Sequence, residues 1–89
     1  MPTISFTSHL QKHVACPTEK VEGHTVREAL EDYFARHPKV KSYLLDEQDM
    51  LRRHVVIFVG EEQARDRTKL TDPVAGDQEI YVMQALSGG

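Results

Sequence analysis

Thr25-Val26-Arg27-Glu28-Ala29-Leu30-Glu31-Asp32-Tyr33-Phe34-Ala35-Arg36-His37-Pro38 is the most strongly periodic stretch of the chain. Val26, Ala29, Leu30, Tyr33 and Phe34 recur at the spacing that gathers apolar side chains on one face of a helix. Thr25, with Glu28 three positions on, forms a capping box in which side chains satisfy backbone N–H groups that the first turn leaves unpaired. Arg36 and His37 lie in the last turn, where a cation meets the negative end of the helix dipole. Pro38 disfavours helical backbone at the residue before it and is expected to stop the helix.

Upstream, Thr3-Ile4-Ser5-Phe6-Thr7 alternates polar and apolar, which predicts a half-buried strand with Ile4 and Phe6 inward. A second extended stretch is expected over residues 13–22 and closes at Gly23. Pro17 interrupts it, and a proline cannot donate to a ladder, so the stretch suits a sheet edge. Downstream, residues 40–45 form a weaker helical turn ending at the polar cluster 46–49. His54-Val55-Val56-Ile57-Phe58-Val59 is the strongest strand. Gly60 starts a turn into a short strand near residues 62–64, residues 70–74 read as a turn or short helical excursion, and residues 75–77 as another turn. Residues 79–86 form the last strand, and Ser87-Gly88-Gly89 has no reason to be ordered. Two strands before a single long helix exclude a doubly wound βαβ repeat and favour α+β. The expected architecture is a mixed sheet of four to five strands curled around one main helix. No repeat or linker divides the chain, so one domain is expected over residues 1–86, with a flexible tail at 87–89.

The composition narrows the chemistry. In 89 residues, 11 basic side chains face 14 acidic ones for a net charge of −3, which offers no broad basic field for nucleic acid. The longest apolar run, Val55-Val56-Ile57-Phe58-Val59, is far short of the ~20 residues that span a bilayer. No basic segment followed by an apolar stretch opens the chain, and its one cysteine cannot form an internal disulfide. A soluble, cytoplasmic setting is the expectation. The glycines are single at 23, 60 and 76 and paired only at 88 and 89, so no phosphate-cradling loop is present. Nor does the lone Cys16 supply zinc-site spacing.

Taken together, Glu22-Gly23-His24-Thr25-Val26-Arg27-Glu28-Ala29-Leu30, the strand His54–Val59, Ala75-Gly76-Asp77-Gln78-Glu79-Ile80 and Ala85-Leu86-Ser87-Gly88-Gly89 resemble the small ubiquitin-like β-grasp sulfur carriers. That group contains the small subunit of molybdopterin synthase and the thiamine-biosynthesis carrier. The lead Leu51-Arg52-Arg53-His54 is most similar to the carriers that serve cysteine synthesis. The resemblance implies a carrier rather than an enzyme. Gly89 would be the point of adenylation and sulfur attachment, with Gly88, Ser87 and Leu86 giving it access. It implies a ubiquitin-activating-type adenylating partner that uses ATP, a sulfurtransferase or other sulfur donor, and a sulfur-acceptor enzyme, with no cofactor or metal on this chain. A protein modifier joined to lysines through Gly89, or a molybdopterin synthase subunit, would carry the same tail.

By itself a terminal Gly-Gly reads as a frayed end. Beside the resemblance it acquires a chemical reason. A carboxylate is a poor electrophile until converted to an acyl-adenylate, and the activating enzyme must then admit the carrier's last residues through a narrow groove. Glycine has no Cβ and can pass where other residues clash.

Strand alternation adds a surface. If Val55, Ile57 and Val59 face the helix, Val56 and Phe58 face outward, and Ile80 and Val82 inward leave Tyr81 and Met83 outward. In a β-grasp sheet these strands are neighbours, so the four residues would form one exposed apolar patch, the candidate partner-binding face. Other residues attract simpler readings. Cys16 is expected to be a structural thiol in the edge strand, and His9 and His13 surface histidines in a strand-and-turn region. Arg52-Arg53-His54 is the one local basic cluster. Glu31, Asp32, Glu61 and Glu62 are expected to be solvated acids, and Tyr33 and Phe34 core anchors.

Overall fold

The long helix is where the sequence puts it. In the computed structural model, which describes residues 1–84, α2 spans Val26–Arg36. Leu86, Ser87, Gly88 and Gly89, and with them the expected tail, lie outside the described residues. The Glu28 N–H donates to Thr25 Oγ1 at 3.1 Å, while Glu28 Oε1 accepts from the His24 N–H at 2.8 Å. The box therefore closes one residue earlier than the usual reciprocal pair. The Val26 and Arg27 N–H groups donate to the carbonyls of Asp72 and Leu70, so two further first-turn donors are satisfied by a distant loop.

Pro38 does more than stop α2. It is the first residue of α3 (Pro38–Leu44), where its missing N–H is one the helix would not have used. The expected turn at 40–45 is thus a full short helix beginning two residues earlier. Residues 8–11 also differ from expectation: α1 (Ser8–Gln11) is a helical turn where strand and turn were predicted. The extended stretch expected over residues 13–22 contracts to β2 (Glu19–Lys20). Cys16 and Pro17 lie in the loop before it rather than in a strand.

The strands β1 (Thr3–Phe6), β3 (Val55–Val59), β4 (Glu62–Gln63) and β5 (Glu79–Gln84) complete a five-stranded sheet in the order β2-β1-β5-β3-β4. Its centre is the parallel pair β1–β5, with every other pairing antiparallel. Ile4 and Phe6 of β1, Val55, Ile57 and Val59 of β3, and Ile80 and Val82 of β5 meet α2 and α3 in one core. Tyr33 is fully buried there, its ring 5.2 Å from that of Phe6, and its hydroxyl donates to the Pro17 carbonyl at 2.7 Å. Burying an aromatic ring while pairing its one polar atom removes the cost that an orphaned hydroxyl would impose.

Candidate functional site: the outer face of the sheet

Alternation in β3 and β5 is strict. Val55, Ile57 and Val59 are buried and Val56 and Phe58 are half-buried between them. Ile80 and Val82 are fully buried, whereas Tyr81 and Met83 are 37% and 36% exposed. The antiparallel register sets Val56 opposite Met83 and Phe58 opposite Tyr81. Directly opposed side chains in such a pair stand only ~5 Å apart at Cβ. The four residues expected to share a surface therefore do so, as two adjacent cross-strand pairs. Ser5 of β1 lies beside Tyr81, and Gln63 of β4 beside Phe58, so polar residues border the strip on both sides.

The strip leaves apolar area in water between polar margins, area that burial against another molecule would remove while the margins stayed hydrated. The strip reaches the end of β5, where Gln84, the last described residue, pairs with Val55. The expected attachment residue Gly89 and the access residues Gly88, Ser87 and Leu86 follow in the sequence and are outside the described residues.

The remaining candidates separate cleanly. Cys16 is 3% exposed and its burial raises the thiol pKa, which disfavours thiolate. His9 sits in α1 rather than in a strand, and its ring packs edge-on against that of His13 at 5.1 Å, both residues being exposed. Among the described residues no group of three or more His, Cys, Asp or Glu side chains is placed to hold a metal ion. Asp32 is not merely solvated. It accepts from the Glu22 N–H at 3.0 Å and pairs with Arg36 at 3.3 Å, and the Glu22 hydrogen bond in particular holds its carboxyl below the usual range. Arg52 donates through Nε to the Ser42 carbonyl, fastening the lead of β3 to α3. Tyr43, 41% exposed, is a large apolar surface residue that sequence reasoning did not single out. Val40 and Leu44, four apart and fully buried, define the inner face of α3 and leave Tyr43 outside it.

A mixed sheet with a parallel central pair, wrapped on one long helix, defines the ubiquitin-like β-grasp class. No family model and no curated protein matches the chain by sequence. Solved structures do match. A chain of the BexX/CysO complex of Amycolatopsis orientalis superposes with a TM-score of 0.83 at 27% identity, each chain covered over 100% of its length. CysO of Mycobacterium tuberculosis gives a TM-score of 0.81 at 22% identity, covering 97% of this chain and 100% of that one. SAMP1 of Haloferax volcanii gives 0.77 at 22% identity, covering 99% and 98%. The structural neighbours are thus ubiquitin-like β-grasp carriers and modifiers, the group that the sequence resembles.

Proposed function

We propose that this chain is a sulfur carrier whose Gly89 carboxylate is adenylated by a partner enzyme, then converted to a thiocarboxylate that donates sulfur in biosynthesis. The observation that carries the reading is the end-to-end match to a chain of the BexX/CysO complex. It is supported by the apolar strip of Val56, Phe58, Tyr81 and Met83, which leads to the end of β5.

The chemistry follows from the carboxylate. An oxygen of Gly89 attacks the α-phosphorus of ATP, the bond to pyrophosphate breaks, and the acyl group gains AMP as a leaving group. A hydrosulfide equivalent from the sulfur donor then displaces AMP. The resulting C–S⁻ group is a nucleophile at neutral pH. In this reading the outer face of the sheet holds the chain on its partners while the two glycines enter the nucleotide pocket, and the chain itself supplies no catalytic group.

Intact-mass and C-terminal peptide spectrometry of the protein isolated from its own cells tests this. The expected result is a fraction whose Gly89 carries the mass gain of one oxygen replaced by sulfur, absent in Gly89→Ala. Gly-Gly remnants on lysines of other proteins would instead establish a modifier. A mature chain that extends past Gly89 would overturn both readings.

A further inference from the structure

The acids of this chain are distributed unevenly. Residues 7–18, 33–45, 50–60 and 80–84 contain no Asp or Glu, so all 14 acids lie elsewhere. The same four stretches carry six of the 11 Lys and Arg and four of the 5 His.

The fold brings one part of each stretch (residues 7–13, 39–45, 50–55 and 82–84) to one end of the sheet. The Thr7 N–H donates to the Val82 carbonyl, which sets α1 against the end of β5. The Tyr43 hydroxyl donates to the His13 carbonyl at 3.2 Å, joining α3 to the end of α1. The Arg52 N–H and Nε donate to the Leu44 and Ser42 carbonyls, joining α3 to the lead of β3. Val55 then pairs with Gln84. Around the terminus of β5 therefore stand Lys12, Arg53, His9, His13 and His54, with Lys39 at the start of α3. Arg36 and Lys41 are partly neutralised by Glu19, Asp32 and Asp49, and Asp46 and Glu47 line a surface pocket with Lys41 and Arg52, so acids mark this margin of the region. Lys12, Lys39 and Arg53 are exposed and join no ion pair among the described residues.

From this asymmetry we infer that the β5 end of the molecule is a cationic docking surface for a carboxylate-rich protein partner, one whose acidic residues rim the cleft that receives the chain's C-terminal segment. The inference rests on the carrier reading for the identity of the receiving cleft; the surface itself rests on charge and topology. A molecule of net charge −3 that keeps six of its 11 Lys and Arg on stretches free of acids, with all 14 acids elsewhere, carries a dipole, and in the field of an acidic rim it turns the β5 end forward before contact. An extended polyanion fits less well. Outside this end the chain is dominated by acids, which repel any strand running beyond the patch, and log affinity for nucleic acid would need many more phosphate contacts.

The test uses the full 89-residue chain labelled for NMR and titrated with a dodecameric Glu peptide at low salt, and separately with a single-stranded RNA dodecamer. Expected are amide shifts confined to residues 9–13, 39–43 and 52–54, and an affinity that falls at least about tenfold from 20 to 200 mM salt, as exposed charge pairs are screened. The double variant Lys12→Glu/Arg53→Glu, both exposed positions outside the core, should lose the peptide while keeping the wild-type circular dichroism spectrum. Shifts spread over the surface, binding insensitive to salt, or peptide retention by the double variant would overturn the inference; so would tighter binding of the RNA. With the adenylating partner, the same double variant should show a lowered kcat/KM for adenylation at low salt and converge on wild type at high salt. A wild-type chain that never gains sulfur would refute the carrier reading and leave the peptide result standing, so the two failures are distinguishable.

Discussion

Gly23 shows how one residue constrains the junction between sheet and helix. Its φ is +153°, and a Cβ added there would lie 2.6 Å from the Ala29 backbone nitrogen and 2.9 Å from Glu28 Cβ. Neither contact can be relieved by a flexible side-chain tip, because the backbone of α2's first turn is one of the partners. Gly23→Ala should therefore destabilise the fold on the order of 3 kcal/mol, combining a disfavoured backbone with a steric clash. Gly76 has φ +50° and nothing within 4 Å of an added Cβ. Gly76→Ala should cost only about 1 kcal/mol, the conformational part alone. Urea midpoints of the two variants against wild type measure both; equal losses would show that the crowding at Gly23 relaxes. The sequence marks Gly23 as the close of an extended stretch, yet the approach of Glu28 and Ala29 is visible only once α2 has folded back over it.

Among the elements, legibility follows the length of the periodic signal. Eleven residues with a cap at one end make α2 readable, and the apolar runs of β3 and β5 fix both their existence and their inward faces. Four-residue α1 carries one buried side chain, Leu10, and Thr7 before it makes no capping hydrogen bond, so neither pattern nor cap announces it. Pro38 is read as a stop because proline terminates helices, and the same property lets it open the next one. Two-residue β2 is held by its ladder and also by a clasp to the C-terminal end of α2. Glu19 Oε2 lies 2.7 Å from His37 Nε2, and its Oε1 accepts from Arg36 Nε at 3.0 Å. These contacts, His37 first and then Arg36, hold the Glu19 carboxyl below the ordinary glutamate range. A carboxyl depressed on folding contributes stability above its unfolded pKa of about 4.3 and loses it as pH falls through the lower folded value. Glu19→Gln should thus flatten the acid limb of the stability–pH curve below about pH 5, where wild type declines. Denaturant midpoints from pH 7 to pH 2 measure it, and an unchanged acid slope would remove the clasp from the account.

For the whole molecule, the outer strip is legible as parity within each strand, and as one surface only through the resemblance, which makes the two strands neighbours. Alternation says that Val56, Phe58, Tyr81 and Met83 point away from the core; only the strand order β1-β5-β3 puts them side by side. The gathering of cations at the β5 end is further still from the sequence, because it depends on α1, α3 and the lead of β3 meeting across the fold. The two features divide the work of association by range. Charge acts over roughly a Debye length and sets how often encounters are oriented, whereas the strip acts on contact and sets how long the complex lasts. Replacing Phe58 and Met83 by Asp should therefore abolish stable capture of the adenylating partner through a faster dissociation rate. Both side chains lie on the face away from the core, so the circular dichroism spectrum should stay close to wild type. The cationic-end variant should instead lower the association rate and leave dissociation nearly unchanged, and surface plasmon resonance separates the two. If the Phe58→Asp/Met83→Asp chain binds its partner with the wild-type dissociation rate, the outer face of the sheet is not where the partner sits.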